Sequence, residues 1–124
     1  MGDIFFTFET LDVYQKARRL VKDIYLLLDK FPSTKKYALC DQIKRAAVSI
    51  PSNIAEGRGR FSVKERVHFV EIAYGSLLME VYCQLSIADD LGYISSEIFE
   101  GLKVKFDEIA RMLYGFRNSL LKDK

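Results

Sequence analysis

The sequence predicts an all-α protein: an antiparallel up-down-up-down four-helix bundle that forms a single domain over residues 1–124. Apolar residues recur every three or four positions through four segments of about 20 to 30 residues, longer than strands and longer than the mean helix. Short breaks separate the segments, after Lys30, between Gly57 and Arg60, and at Gly92. Because short connections join antiparallel neighbours, four such helices predict a bundle.

The first segment, roughly Leu11 to Lys30, has a single apolar stripe and a basic opposite face. At helical spacing the stripe contains Val13, Ala17, Leu20, Ile24, Leu27 and Phe31. Four cations lie away from the stripe, namely Lys16, Arg18, Arg19 and Lys22. We interpret them as a solvated face, with a second anion-binding strip as the alternative.

The second segment opens after Pro32, with Ser33 or Thr34 as its predicted cap, and runs to Gly57. Its apolar stripe is Leu39, Ile43, Ala46, Ile50 and Ile54. Pro51 removes one backbone hydrogen bond inside this segment, which predicts a kinked helix rather than two helices.

The third segment begins at a capping box, since Ser62 is spaced to accept the amide of Glu65 while the glutamate reaches back. Gly92 is its expected left-handed terminator. The predicted core stripe is Val67, Val70, Tyr74, Leu77, Val81, Leu85 and Ala88. The fourth segment starts at about Ser95 or Ser96 and carries a heptad-like seam of Phe99, Leu102, Phe106, Ile109, Leu113, Phe116 and Leu120.

A second apolar stripe on the third segment predicts self-association. Ile72, Met79 and Cys83 fall roughly opposite the core stripe, and the small residues Gly75 and Ser76 flank them. Since a four-helix bundle buries one face of each helix, a helix that is apolar on both sides needs another chain. We therefore expect a homo-oligomer with these five residues in its interface. The alternative is a wide core stripe with scattered exposed apolar residues.

The composition is that of a globular protein, with 49% hydrophobic and 29% charged residues, 7 Gly and 2 Pro. These values exclude a disordered or low-complexity chain. No apolar run is long enough for a transmembrane helix, and the first residues do not form a secretory signal. Cys40 and Cys83 are too few for a disulfide scaffold, so we expect a cytoplasmic protein.

Catalytic and metal-binding motifs are nearly absent. Glu65-x-x-His68 is the one metal-like pair, and the single histidine leaves no second motif of the kind that di-iron bundles need. The two cysteines lie among apolar neighbours, and no strand-turn-helix elbow presents a serine. We therefore expect no enzyme activity, no metal, no cofactor and no small-molecule substrate.

Basic residues concentrate in the first half of the chain. Residues 1–66 hold 13 Lys and Arg against 8 Asp and Glu, a balance of +5, whereas residues 67–124 have a balance of −3. The predicted nucleic-acid-binding residues are Arg58, Arg60, Lys64 and Arg66 around the second break, with Lys44 and Arg45 adjacent. Arginine forks pair well with phosphate, and an oligomer would repeat the patch.

Two alternatives to nucleic-acid binding stay open for this cluster. It could be an ordinary solvated loop tied by a contact between an arginine and Glu56, or an adaptor surface that binds an acidic protein partner. The glycines of Gly57-Arg58-Gly59-Arg60 resemble part of a phosphate loop. The segment lacks Gly-Lys-Ser/Thr and a preceding strand, which excludes a nucleotide-binding P-loop.

Several motifs together resemble one protein family. They are the run from Gln42 to Gly57, which ends in Asn53-Ile54-Ala55-Glu56-Gly57, the opening Leu11-x-Val13-Tyr14-Gln15-x-Ala17, Phe31-Pro32, Arg60, Ala73-x-Gly75-Ser76-Leu77 and Leu91-Gly92-Tyr93. The sequence thereby resembles the four-helix-bundle proteins of intervening sequences in 23S ribosomal RNA genes, over nearly the whole chain.

The resemblance implies a bacterial, cytoplasmic, all-helical protein that assembles as a ring, typically a pentamer. It also implies kinship with the accessory variability protein of diversity-generating retroelements, a basic pentameric barrel that binds nucleic acid and partners a reverse transcriptase. A reverse transcriptase or a ribosome-associated factor is accordingly the kind of partner that the adaptor alternative implies. The resemblance brings no catalytic residues. Asn53 and Glu56 either orient the end of the second helix or contact the next subunit.

Overall fold

A computed structural model of the chain describes residues 4–31 and 37–122. After a short 3-10 segment, Ile4–Thr10, come the helices α1 (Asp12–Leu28), α2 (Tyr37–Arg58), α3 (Val63–Gly75), the π-helical stretch π1 (Ser76–Tyr82), α4 (Cys83–Asp90) and α5 (Ser96–Lys122). The stretches α3, π1 and α4 follow one another without a break, and together they are called the third bundle helix below. The described residues are thus all-helical, with the four long helices and the bundle that the sequence predicts.

One cluster of buried apolar side chains lies between the four helices, and each helix contributes to it. The helix α1 packs against α2 and α5, and the third bundle helix packs against the same two. Most of the predicted stripe residues are buried in this cluster. Four of them are only partly buried, Leu27, Phe31, Leu39 and Phe116, while Leu28 and Ala47 are buried in addition. No helix in the described ranges has the length and apolar character needed to cross a membrane.

The predicted caps at Ser62 and Ser95 and the Gly92 terminator are confirmed, whereas the Glu65 carboxylate faces Arg60 at 3.9 Å and does not complete the capping box. The Ser62 Oγ accepts the backbone N–H of Glu65 at 3.1 Å, and Ser95 caps α5 by accepting the N–H of Ile98 at 3.2 Å. At the end of α4, Gly92 has a φ of 76°, while the Tyr93 N–H bonds back to the preceding turn at 2.9 Å. This is the Schellman arrangement that favours glycine. The predicted cap at Ser33 or Thr34 lies outside the described residues.

The helix α2 continues through Pro51, as predicted, and Pro51 itself is buried. Two nearby side chains bond to backbone carbonyls within the same helix. The Ser49 Oγ donates to the Ala46 carbonyl at 2.6 Å, and the Asn53 Nδ2 donates to the Ser49 carbonyl at 2.7 Å. The Asn53 side chain therefore bonds within α2, next to Pro51, which has no backbone N–H to donate.

The third bundle helix departs from its predicted pattern at two positions. The sequence predicts Tyr74 in the core, but it is 37% exposed, and it predicts Ser76 on the outer face, but Ser76 is 4% exposed. The buried positions there are Ala73, Leu77, Val81 and Leu85, four residues apart. Ser76 is the first residue of π1, whose wider turns change which side chains face the core from that point on. Tyr74 precedes π1 and lines the open surface between the third bundle helix and α5. The outer-face placement of Ser76 is wrong, and Ser76 belongs to the protomer's own core.

Candidate nucleic-acid interface

The turn between α2 and α3 depends on a close approach of the two helices at Gly57. A Cβ added there would lie 3.1 Å from the Phe69 Cβ and 3.2 Å from the Arg66 carbonyl oxygen. Such distances are shorter than ordinary van der Waals contacts, so only glycine fits without a shift of α3. Gly57 thus sets where the following turn, Gly59 to Ser62, leaves the bundle.

Arg60 holds this turn in place. One of its guanidinium nitrogens, Nη2, lies 2.7 Å from the Glu56 Oε2, and Nη1 lies 3.9 Å from the Glu65 Oε2. The guanidinium carbon also lies 4.7 Å from the centre of the Phe69 ring, within the range of a cation–π contact. Within the protomer, Glu56 thus orients the turn after α2, which is one of the two roles that the sequence left open for it.

Arg66 supports the same turn from α3. Its Nε donates to the backbone carbonyl of Arg60 at 2.6 Å, and this bond is partly buried. Two of the four cations predicted to meet phosphates therefore use their side chains to shape the turn. The alternative of a loop tied through Glu56 describes Arg60 correctly.

The other two cations of the turn point into solvent. Arg58, at the end of α2, and Lys64, in the first turn of α3, are exposed, and neither forms an ion pair with another residue that the structure describes. Between them lies Phe61, whose side chain is 98% exposed. We call Arg58, Phe61 and Lys64 the outer turn residues. Because neither cation has an ion-pair partner in the described chain, both can bind an anion.

Phe61 is not among the residues predicted from the sequence. The indication that its side chain is exposed was its position in the sequence. Phe61 directly precedes the cap Ser62 and falls on neither the α2 stripe nor the α3 stripe.

Lys44 and Arg45 do not join this cluster. They lie 14 and 13 positions before Arg58 on α2, which is about 20 Å along the helix axis. The Lys44 Nζ lies 5.1 Å from the centre of the Tyr25 ring, and Arg45 pairs with Asp41 at 3.3 Å. The prediction that they lie adjacent to the turn cations is therefore wrong, because the length of α2 separates them.

The outward side of the third bundle helix carries an apolar stripe. Ile72, Met79 and Cys83 are exposed as predicted, with Met79 72% exposed, and Ile87 continues the line one turn further at 44%. A Cβ placed on Gly75 would meet no atom within 4 Å, so the surface between Ile72 and Met79 is open. We call Ile72, Gly75, Met79, Cys83 and Ile87 the outer stripe.

Beside the outer stripe, an open groove of about 680 Å³ runs between the third bundle helix and α5. Tyr74, Tyr82 and Tyr114 line it together with Lys103. The pKa of the Lys103 ammonium is raised, first by a hydrogen bond with the Tyr82 side chain and then by the charge of Glu100. Lys103 also pairs with Glu100 at 3.6 Å, so the groove is an apolar surface with an ion pair at its edge.

The metal-like pair Glu65 and His68 lies on the exposed surface of α3. The His68 ring packs edge-on against the Phe69 ring at 5.4 Å, and the Glu65 carboxylate faces Arg60. In residues 4–31 and 37–122, no group of three or more His, Cys, Asp or Glu side chains is placed to hold a metal ion. Both cysteines are free thiols, Cys40 partly buried and Cys83 exposed.

A comparison with known protein families finds one family model that matches the chain. The family model described as 23S rRNA-intervening sequence protein matches residues 9–115. This range includes α1, α2, the whole third bundle helix and most of α5. The chain therefore belongs to the 23S rRNA-intervening sequence protein family, as its motifs predict. No curated protein matches the sequence.

Proposed function

We propose that this chain is a non-enzymatic homo-oligomeric protein that binds RNA or DNA through the phosphate backbone. The binding surface is the α2–α3 turn, repeated once in each subunit. The observation that carries the proposal is that the four turn cations divide into two that hold the turn and two that are exposed. Arg60 and Arg66 brace the turn, while Arg58 and Lys64 stay exposed and unpaired among the described residues.

This division favours an anionic ligand over a purely structural role. Some other cations, such as Lys105 with Asp23 and Arg117 with Glu71, form ion pairs within the protomer. Arg19 and Lys22 on α1 are exposed without an ion pair in the described chain, but they lie on a helix surface and not on a braced turn. The backbone beneath an unpaired cation on a braced turn is already fixed, so binding orders only the side chain, and its charge is available to a phosphate. With a net charge of +2 for the whole chain, affinity depends on repeating this turn in several subunits.

The outer stripe supports a homo-oligomer, in which each subunit would contribute one copy of the turn. A contiguous line of exposed apolar residues on one helix is the surface that another copy would cover. We propose a ring, a pentamer as the resemblance implies, with the outer stripe in its interface. Cytoplasmic location belongs to the same proposal.

Contacts between helices support an antiparallel arrangement in each subunit. Lys16 pairs with Glu108 at 3.3 Å and Asp23 pairs with Lys105 at 2.6 Å, so the sequence number rises along α1 while it falls along α5. In an up-down-up-down bundle the α2–α3 turn lies at one end of the subunit. Symmetry then places all copies of the turn at the same end of a cyclic ring.

RNA and DNA share the phosphate backbone, so both belong in the test.

The experiment is a salt series of binding titrations with a fluorescein-labelled single-stranded RNA and with a DNA duplex. We expect measurable affinity at low salt that falls linearly in logarithmic plots as salt rises. The double variant Arg58→Gln/Lys64→Gln should weaken binding. It should also flatten the slope by about 0.7 for each single-strand phosphate that the variant no longer neutralises.

The matched control is Arg19→Gln/Lys22→Gln on α1, which removes the same charge from two exposed cations elsewhere. It should leave the slope nearly unchanged. Equally weakened binding in both double variants would mean that net charge, or the second basic strip on α1, contributes as much as the turn, and the proposal that the turn is the binding surface would be wrong. If wild-type protein has no detectable affinity at low salt, the proposal is wrong, and an acidic protein surface becomes the partner to test by pull-down after nuclease treatment.

A further inference from the structure

We propose that Phe61 stacks on an unpaired base, so that the preferred ligand is a single-stranded or looped segment and not a duplex. This inference rests on the proposed function and narrows its ligand class. The juxtaposition that carries it is an aromatic ring, 98% exposed, on a braced turn and flanked in sequence by two cations that form no ion pair in the described chain.

Phe61 contributes almost no buried surface to its own subunit. A phenylalanine that packs in a core removes a large apolar area from water, whereas this ring leaves nearly all of its area in solvent. Both of its ring faces are therefore open. An aromatic face of this kind is the surface on which nucleic-acid bases stack, and it is tolerant of sequence because each base has a π face.

The backbone on either side of Phe61 is held in place. On the N-terminal side, the carbonyl of Arg60 accepts the Arg66 Nε at 2.6 Å, and the Arg60 side chain is paired with Glu56. On the C-terminal side, Ser62 caps α3, and its carbonyl accepts the N–H of Arg66 at 3.0 Å. A ring carried by a fixed backbone is already positioned for its partner, so binding orders little more than the side chain.

The charges next to Phe61 indicate which partner would cover it. Arg58 lies three positions before the ring and Lys64 three positions after it, and both are exposed. A stacked base has a phosphate on each side along its strand, so a ring between two cations is complementary to a nucleotide chain. In a duplex the base faces are already covered by neighbouring bases, which leaves only phosphates for the turn.

The test uses the full-length protein with a single-stranded RNA that contains 2-aminopurine, whose fluorescence is quenched when it stacks. We expect wild-type protein to quench the probe. Phe61→Ala should abolish the quenching and weaken single-strand binding by about 5- to 100-fold, the range for removing one aromatic stacking partner. Its affinity for a duplex and its salt dependence should stay as in the wild type, since no cation is removed.

Two matched variants separate stacking from apolar contact. Phe61→Trp should keep the quenching and the affinity, whereas Phe61→Leu, which is apolar without a π face, should behave like Phe61→Ala. Because the side chain is exposed, each variant should fold, and a helical circular dichroism spectrum checks this. If Phe61→Leu binds like the wild type, or if Phe61→Ala weakens single strand and duplex equally, stacking is contradicted.

Other outcomes distinguish this inference from the function on which it rests. If Phe61→Ala binds single strands normally while Arg58→Gln/Lys64→Gln does not, phosphate binding stands and the stacking inference fails. If Phe61→Ala dissociates the oligomer in sedimentation, another subunit covers the ring, and the inference fails. If wild-type protein binds no nucleic acid, the proposed function and the inference fail together.

Discussion

At Gly57 the absence of a side chain lets α2 and α3 approach, and this gives a prediction about stability. Alanine is the better helix former by about 1 kcal/mol, but its Cβ would meet the Phe69 Cβ and a backbone carbonyl at 3.1 and 3.2 Å. Since neither atom can move without moving α3, crowding of about 1–3 kcal/mol should prevail. We expect Gly57→Ala to lower the free energy of unfolding by about 1 kcal/mol in urea titrations.

The control for this substitution is Gly101→Ala on α5. No atom lies within 4 Å of a Cβ at Gly101, so alanine should raise the free energy of unfolding by about 0.5–1 kcal/mol. If Gly57→Ala raised the free energy of unfolding by the same amount, the two helices would not be in close contact at Gly57.

Substitutions of Arg60 and Arg58 should distinguish a residue that stabilises the fold from a residue that binds nucleic acid. Arg60→Gln removes a half-exposed ion pair and a cation–π contact, together worth about 1 kcal/mol of the free energy of unfolding. Arg58→Gln removes an exposed side chain without an ion pair in the described chain, and should change that free energy by less than about 0.5 kcal/mol. Urea midpoints of both variants, measured beside RNA titrations, test the contrast, which fails if Arg58→Gln is the less stable protein.

The sequence places four cations around one turn, but it does not tell which of them are free. Ion pairing depends on where each side chain points after the helices have packed. Arg60 turns back onto Glu56 and Phe69, whereas Arg58 continues outward from the end of α2. The contact with Glu56 was open to prediction because the two residues are four positions apart, which is helical reach.

Among the helices, the start of α3 gives a prediction about a single hydrogen bond. Ser62→Ala removes the acceptor for the Glu65 N–H and should lower the free energy of unfolding by about 1 kcal/mol. Ser119→Ala, on the exposed surface of α5, is the control and should have no destabilising effect. Thermal unfolding followed by circular dichroism compares the two, and equal melting temperatures would contradict the cap.

The third bundle helix also shows what periodicity does not predict. A pattern analysed at 100° per residue places Tyr74 in the core and Ser76 outside, whereas Tyr74 is exposed and Ser76, at the start of π1, is buried. The buried residues Ala73, Leu77, Val81 and Leu85 are spaced by four, which a regular α-helix would rotate steadily off the core. That run of fours was visible in the sequence, although small residues such as Ala73 made it a weak pattern.

For the molecule as a whole, the four helices were predictable because each carries a long apolar stripe and a clear stop. The described structure confirms a helical bundle, and the family match agrees with the motifs around Asn53 and Glu56. The number of subunits in the proposed oligomer could not be predicted in the same way. A sequence predicts an exposed apolar face, but the number of subunits follows from the angle between neighbouring copies, which no pattern of residues encodes directly.

The outer stripe gives the prediction at this scale. Met79→Asp places a charge on the proposed interface and should dissociate the oligomer, because an unpaired carboxylate is costly to bury. Leu26→Asp is the control, since Leu26 is also exposed but lies on α1, which packs against α2 and α5. Size-exclusion chromatography with light scattering measures both masses, and dissociation by Leu26→Asp instead would move the interface to α1.

Sedimentation velocity of the wild-type protein at micromolar concentration, with and without labelled single-stranded RNA, is the most direct measurement of this account. We expect a species several times heavier than the 14.3 kDa chain, and at low salt the RNA absorbance should move with it. A single 14.3 kDa species with the RNA left behind would contradict both the assembly and its proposed ligand.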